Sequence, residues 1–441
     1  MISVTQGRPF YQTALVVVLG LITLICIFSM PSMGDKLGQK ELVQSEKERV
    51  TSPGVDQAEL DELVAGNSAF AFDLFQAVRE SGSNLFYSPY SISAALAMTY
   101  AGARGITEEQ MGDTLHFILA QEQLHPAVNA LDLELASRGE LAEGWEGEGF
   151  KLNVANFIWG QTGYSFLPDF LDVLAENYGA GLRLLNFMNA PEESRTVIND
   201  WISDETEGKI GDLLPLGVIT PDTRLVLANA VYFNAAWLFP FDEETTHDGP
   251  FYLLDGGQVS VPMMEQEQFF QYTEGEGYQA VELPYNGKEL SMVILFPKAG
   301  SFQDFEHALT SEWFALIVSN LEPRNVHLTM PKFTYESTFS LGGTLADMGM
   351  PNAFQPGVAN FSAMDDTRLL FISDVVHKAF VSVDEFETEA AAATAVVMVP
   401  SALPPPTAVE VTIDRPFLFM IRDIETEAIL FMGRVLNPSE S

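Results

Sequence analysis

The order of helical and strand-like patterns along this 441-residue chain constrains its fold most strongly. From Leu60 (LDELVAGNSAFAFDLFQAVRE) apolar residues recur at helical spacing, and helical patterns dominate to about Trp201. Strand-like runs prevail afterwards: LVLANAVYF (225–233), QVSVPMM (258–264), LSMVILF (290–296), VHLTMPKFTY (326–335) and RPFLFMI (415–421). No internal linker or repeat separates the two parts. We therefore predict one large α+β domain over residues 59–441, with mostly antiparallel strands.

An apolar run, ALVVVLGLITLICIFSM (14–30), precedes this domain. It is slightly long for a signal-peptide core and slightly short for a full membrane span, and Ser32 and Gly34 offer small residues for cleavage. We predict that residues 1–34 are a signal peptide or a membrane anchor, so that the domain is secreted or membrane-anchored outside the cytoplasm. The polar stretch that follows predicts a linker over residues 35–58.

Charge and cysteine content exclude several classes of function. The chain has 61 acidic and 22 basic residues and a formal net charge of -39, so its surface repels phosphate backbones and we expect no nucleic-acid partner. We interpret the acidity as a solubility device. The only cysteine, Cys26, lies in the apolar run, which excludes disulfides, zinc–thiolate sites and cysteine nucleophiles from the domain.

The sequence contains no recognisable catalytic constellation. HExxH, GxSxG and P-loop motifs are absent, and no two histidines have metal-ligand spacing; they are His116, His125, His247, His307, His327 and His377. We predict that the protein is not an enzyme and needs no cofactor or metal, with an unrecognised hydrolase as the alternative. The stretch 121–140 carries only Arg138 as a base, so it offers no glycosaminoglycan-binding helix.

The segment EFETEAAAATAVVMVPSALPPP (385–406) combines conflicting propensities. Its alanines favour helix, its valines favour strand, and its final prolines permit neither. Local propensity alone favours a capped surface helix that spans residues 388–395 (TEAAAATA).

Seven segments, in order across residues 60–438, resemble the serpin family of serine protease inhibitors. They are NLFYSPYSISAALAMTYAGARG (84–105), NDWISDETEGKIGDLLP (199–215), LVLANAVYFNAAW (225–237), VELPYNGKELSMVILFPK (281–298), PKFTYEST (331–338), ISDVVHKAFVSVDE (372–385) and RPFLFMIRDIETEAILFMGRVLNP (415–438). The resemblance is to a prokaryotic-type member with an N-terminal export or anchor segment. It implies a single domain with three β-sheets, eight or nine helices and an exposed reactive loop at about residues 385–406.

The resemblance also implies a mechanism. A target protease attacks the loop and forms an acyl-enzyme, and the cleaved loop then enters the main sheet as a new strand; the uncleaved fold is held by a kinetic barrier. In that strand Thr388 and the residues at every second position share an uncharged face, whereas Glu389 lies on the other face. Glu387 stands where the family commonly has glycine, which is expected to slow insertion. The implied hinge comprises Glu385, Glu387, Thr388, Glu389, Ala390, Ala391, Ala392, Ala393 and Thr394.

The family's usual spacing from the hinge threonine places the cut between Ser401 and Ala402, with Ala402–Leu403 as the alternative bond. A small residue before the cut favours elastase-like or subtilisin-like serine proteases as partners. No Lys or Arg occurs between Lys378 and Arg415, which argues against trypsin-like targets. The main alternative is a non-inhibitory serpin that is only cleaved, or that binds and carries a ligand. We expect a monomer.

Five further positions match the family's conformational control regions. Trp237 matches the breach, at the end of the main sheet where the hinge enters. The shutter, beneath the place where the sheet opens, is matched by Ser88, Ser91, Asn229 and His377. Judged from their neighbours alone, Trp237 and His377 are more often core residues than ligand contacts or catalytic bases.

Overall fold

The computed structural model describes residues 41–79, 82–138, 151–206, 208–386 and 408–440. From Glu41 onward these residues belong to one compact unit. Its α-helices are α1 (Gln57–Val78), α2 (Pro89–Tyr100), α3 (Ile106–Leu115), α4 (Gln121–Ala136), α5 (Pro168–Tyr178), α6 (Pro191–Glu205), α7 (Phe302–Ala308), α8 (Ser311–Ser319), α9 (Gly342–Met348) and α10 (Ser362–Asp365), with a 3-10 turn at Pro351–Phe354.

The strands are β1 (Glu41–Val43), β2 (Leu85–Tyr87), β3 (Lys151–Gln161), β4 (Leu182–Leu185), β5 (Leu225–Asn234), β6 (His247–Tyr252), β7 (Gln258–Gly275), β8 (Tyr278–Pro284), β9 (Leu290–Pro297), β10 (Glu322–Pro331), β11 (Phe333–Ser340), β12 (Ile372–Val383), β13 (Val409–Thr412), β14 (Phe417–Asp423) and β15 (Ile429–Val435). Each of the five strand-like runs forms strand, and the run at 326–335 spans both β10 and β11. Strands β3 and β4 lie in the region that the sequence predicts as mainly helical.

The strands form two hydrogen-bonded sheets. The main sheet has six strands in the order β1-β4-β3-β5-β12-β11. The second sheet has the order β13-β10-β7-β8-β9-β14-β15-β2, with β6 added on β7. The three sheets implied by the resemblance are two here, because the 18-residue strand β7 pairs in succession with β6, β10 and β8 and so joins two groups of strands. The described residues hold ten α-helices, and the shortest, α10, has four residues.

Burial explains why helix α2 and strands β14 and β15 form where they do. Helix α2 begins at the cap residue Ser88, whose side chain accepts from the Ser91 amide, and proline at its first position suits a helix start. Nearly all of its residues are buried, so it packs as a core helix rather than an amphipathic one. Strands β14 and β15 are buried along their whole length, and the burial includes the charged residues Arg422 and Asp423 of β14 and Arg434 of β15.

A second, smaller core lies between α6 and the main sheet. Trp201 and Ile198 of α6 pack there with Trp159 of β3 and Val226 of β5. Helix α6 therefore covers one face of the main sheet through its own hydrophobic cluster. Any movement of the sheet strands beneath it has to disturb this cluster.

Residues 41–56, which lie within the predicted linker 35–58, make pairing and side-chain contacts with the rest of the compact unit; we call them the N-terminal strap. Strand β1 pairs with β4 at the edge of the main sheet. The Ser45 hydroxyl donates to Asp172 of α5 at 2.5 Å. Arg49 donates to Asn129 and Asp132 of α4 at 2.8 and 2.6 Å. Specific polar contacts, which hydropathy does not register, therefore fold this segment.

Within the described ranges, no helix combines the length and apolarity needed to cross a bilayer. The apolar run at residues 14–30 lies outside those ranges.

Candidate functional site

Three hydrogen bonds hold residues 384–386 where β12 ends, at the start of the predicted reactive loop. The Trp237 amide donates to the Phe386 carbonyl at 3.0 Å, and the Trp237 indole N–H donates to the Asp384 carbonyl at 3.0 Å. The Phe241 amide donates to the Glu385 carbonyl at 2.7 Å. Trp237, assigned to the breach by resemblance, thus contacts the last described residues before the loop.

Trp237 is itself fixed by stacking. Its ring lies 4.7 Å from that of Tyr285, with 9° between the ring planes, and only 3% of its surface is exposed. A buried, stacked indole is rigid, so its two donors present a fixed surface to the backbone of residues 384–386. This arrangement orients the chain as it leaves the sheet.

Glu385 is the buried charge at this position. Its side chain is 4% exposed and accepts from Lys332 Nζ at 2.5 Å and from Thr246 Oγ1 at 2.7 Å. Burial alone would raise the pKa of Glu385, but the hydrogen bonds from Lys332 and Thr246 outweigh burial and hold that pKa below its usual range. The sequence analysis identified Glu385 but neither of its partners.

The remaining predicted loop residues lie outside the part of the chain that the structure describes. They are Glu387, Thr388, Glu389, Ala390, Ala391, Ala392, Ala393, Thr394, Ser401 and Ala402. The described part of the site therefore consists of the end of β12 with the residues that hold it, and of the main-sheet strands with the polar cluster that links them to α2.

The structure brings the four predicted shutter residues into one hydrogen-bonded cluster. The Ser88 amide donates to His377 Nε2 at 3.2 Å, so that nitrogen is an acceptor and the proton of the neutral ring lies on Nδ1. His377 Nδ1 in turn donates to Asn229 Oδ1. Asn229 Nδ2 donates to Ser91 Oγ at 2.5 Å. The cluster links α2 to two neighbouring interior strands of the main sheet, β5 and β12.

Asn156 of β3 is a fifth member, which sequence reasoning missed. Its side-chain oxygen accepts from Ser91 Oγ at 3.1 Å and from Asn229 Nδ2, and its amide donates to the Ser91 carbonyl at 3.2 Å. Asn156 is directly opposite Asn229 in the pairing of β3 with β5. A polar side chain in the apolar run VANFIWG was the signal that could have identified it.

Burial keeps the cluster uncharged. His377 is fully buried, and burial lowers its pKa from 6.5 to about 3. The ring therefore stays neutral at physiological pH and acts as a hydrogen-bond bridge. Since a buried polar group is costly unless it is paired, separating β5 from β12 must break the bond between Asn229 and His377 and find new partners for both.

Two neighbouring interior strands of the main sheet, β5 and β12, have the geometry to accept a new strand between them. Strands β5 and β12 run parallel and pair directly, with His377 opposite Asn229. The loop begins at the end of β12, so a strand that folds back between them is antiparallel to both neighbours. Antiparallel pairing is slightly more stable than parallel pairing, and one parallel ladder is replaced by two antiparallel ladders.

Among the residues that the structure describes, no group of three or more His, Cys, Asp or Glu side chains is placed to hold a metal ion. The described residues are arranged to control a conformational change. The end of β12 is held by hydrogen bonds, a polar cluster links α2 to strands β5 and β12, and a third strand can enter between those two strands.

Comparison with known proteins identifies the family of this arrangement. The family profile described as Serpin (serine protease inhibitor) matches residues 65–438. Leukocyte elastase inhibitor A of Rattus norvegicus is 40% identical over 392 residues, which cover 86% of this chain and all of the relative.

Two solved structures are similar over most of their length. Native tengpin, a thermophilic serpin, has a TM-score of 0.78 and 30% identity and covers 90% of this chain and 100% of its own. Human thyroxine-binding globulin has a TM-score of 0.76 and 29% identity and covers 87% of this chain and 100% of its own. The chain therefore belongs to the serpin family.

Proposed function

We propose that this protein inhibits serine endopeptidases as a suicide substrate. The observation that supports this most is the parallel β5–β12 pair in the interior of the main sheet, with the predicted loop following the end of β12. After cleavage, the freed loop enters between these strands while its protease is still attached as an acyl-enzyme. Serpin loop insertion is an established case of strand addition to a sheet. In this reaction the protein is a trap and not an enzyme.

The energetics favour insertion once the loop is cut. A new central strand adds roughly a dozen hydrogen bonds at about 1 kcal/mol net each, or on the order of ten kcal/mol. The shutter cluster and the loop base oppose insertion until then. The uncleaved state is thus kinetically held.

The sequence of the loop supports elastase-like or subtilisin-like targets. Ser401 is small and uncharged, and the chain between Lys378 and Arg415 contains no basic residue that a trypsin-like pocket would accept. The rat relative is named as an inhibitor of leukocyte elastase. We propose cleavage between Ser401 and Ala402, with Ala402–Leu403 as the alternative.

The test mixes the full chain with pancreatic elastase, with subtilisin and with trypsin. We expect a complex with elastase or subtilisin that survives a denaturing gel. We also expect a released C-terminal peptide whose mass corresponds to a start at Ala402. We expect no complex with trypsin. Clean cleavage by elastase and subtilisin without any complex would contradict the proposal.

A non-inhibitory role is the second candidate, and Glu387 is the observation that favours it. A side chain in place of the family's common glycine restricts the backbone at the hinge. The similar thyroxine-binding globulin is a binding protein by name. If Glu387 blocks insertion, Glu387→Gly will convert a chain that is only cleaved into one that forms complexes.

We also propose that the protein works outside the cytoplasm, secreted or held at a membrane by residues 14–30. The apolarity of that run supports the proposal. Its length leaves cleavage and anchoring as the two outcomes, which the N-terminal sequence of the mature protein distinguishes.

A further inference from the structure

Strand β13 anchors the distal end of the reactive loop. It is the first described element after residue 407, it has four residues, and it lies at the edge of the second sheet. It pairs in parallel with β10 through Val326–Thr329, and the Ile413 amide donates to the Thr329 carbonyl at 2.8 Å. A short edge strand with one neighbour opens more readily than a central strand. What else holds β13 therefore decides how firmly the loop is anchored.

His327 of β10 connects β13 to β7 through side chains. Its Nδ1 lies 2.8 Å from Glu410 Oε2 of β13, and its Nε2 lies 2.6 Å from Glu265 Oε1 of β7. A carboxylate only accepts hydrogen bonds, so both contacts are satisfied only when both ring nitrogens carry a proton. A neutral ring turns a lone pair toward one of the two carboxylates. We call these three residues the histidine ladder.

The neighbouring charged groups leave this arrangement intact. His247 of β6 lies 4.0 Å from the second carboxylate oxygen of Glu265, so it supports the same carboxylate without reaching His327. Glu267 of β7 accepts from the side-chain Nδ2 of Asn325 at 2.8 Å. The hydrogen bonds with Glu410 and Glu265 raise the pKa of His327 above its ordinary 6.5, although partial burial opposes them.

We propose that the histidine ladder is a proton-operated latch that holds β13, and with it the distal anchor of the reactive loop, in the second sheet. Protonated His327 cross-links β13 to β10 and β7. Deprotonation breaks one of the two links and removes the positive charge that attracts Glu410, so the side-chain connection from β13 to β7 is interrupted and β13 is held less firmly beyond its backbone ladder. The consequence for inhibition rests on the proposed function: the uncleaved protein should lose its inhibitory form faster at alkaline than at mildly acidic pH.

The test measures amide hydrogen exchange of residues 409–413 in the full chain, corrected for the intrinsic pH dependence of exchange. We expect protection to fall about three- to fivefold between about pH 5.5 and pH 8.5, as for the loss of one partly exposed charged pair. His327→Arg keeps a positive charge and should stay protected throughout. His327→Gln should show the low protection at every pH. These measurements need no protease, so they stand even if the protein proves non-inhibitory.

His247→Gln is the matched control and should keep the wild-type step. Should His327→Gln fail to fold, Glu410→Gln carries the same test, because Glu410 is an exposed side chain whose loss should shrink the step. A wild-type chain without a step, or a His327→Gln or Glu410→Gln chain that keeps the full step, would overturn the latch. Incubating the uncleaved chain at the two pH values and then measuring complex formation tests the consequence separately.

Discussion

His377 shows how a single side chain can connect two strands of the main sheet to the helix that covers them. It is completely buried, yet both ring nitrogens are used, one accepting from the Ser88 amide and the other donating to Asn229. Sequence resemblance could place His377, Asn229, Ser88 and Ser91 because they lie in matching motifs. It could not place Asn156, since its role follows from its position opposite Asn229 in the sheet, and strand register is not readable from one chain.

The ion pair between buried Glu385 and partly exposed Lys332 leads to a prediction at the scale of single residues. Lys332→Met leaves the Glu385 carboxylate buried with Thr246 as its remaining side-chain donor. We expect a loss of about 1–3 kcal/mol in the free energy of unfolding of the uncleaved protein, because Lys332 itself is partly exposed. Urea unfolding of the full chain measures this loss. Lys298→Met, at an exposed lysine, is the control and should change little.

The pH dependence of that loss follows from the depressed pKa of Glu385. The pair contributes stability above the unfolded-state pKa of about 4.5, and this contribution disappears as pH falls through the lower folded-state pKa. The difference between wild type and Lys332→Met should therefore shrink in acid. A difference that stays constant into acid would show that the lost stability comes from packing and not from the ion pair.

At the scale of elements, the N-terminal strap extends the main sheet and ties it to α4 and α5. The Val50 amide donates to the Glu176 carbonyl at 2.8 Å, and the Val50 carbonyl accepts from Asn129 at 2.7 Å. Asp132 accepts from both Arg49 and Tyr90, so Arg49 belongs to a partly buried network.

Arg49→Ala should therefore lower the free energy of unfolding by about 1–2 kcal/mol, since it removes charge-assisted bonds to Asn129 and Asp132. Lys47→Ala is the matched control within the same strap. Lys47 pairs with Asp172 and Glu176 on the surface, where ion pairs contribute little. Thermal unfolding of the two variants compares them. Equal effects would mean that the strap is held by β1 pairing rather than by the Arg49 network.

The elements also show what a sequence can predict here. Strands that are mostly apolar, such as β5, β9 and β14, are readable because their burial leaves a pattern in the sequence. The strap is not readable, because it is polar and its folding depends on partners more than seventy residues away, as the Arg49–Asn129 bond shows. The joining of two strand groups by β7 is likewise a property of tertiary pairing.

At the scale of the whole molecule, the family resemblance predicted a fold that composition and length alone did not determine. The α+β class, the serpin fold and the order of segments are confirmed by the family match and by the similar structures. The loop itself stays a prediction, because residues 387–407 lie outside the described chain. Local propensity there favours helix, whereas the proposed insertion needs strand, so the conformation of this segment cannot be predicted from its own residues.

The central claim is that this sheet accepts the loop, and one measurement tests it directly: the urea midpoint of unfolding before and after the reactive loop is cut. We predict a large increase in the midpoint on cleavage, because the new hydrogen bonds raise the free energy of unfolding by on the order of ten kcal/mol. Thr388→Arg, which places a charge on the buried face, should abolish the increase. Glu389→Arg, on the opposite face, should keep it. A wild-type midpoint that cleavage leaves unchanged would contradict the insertion mechanism.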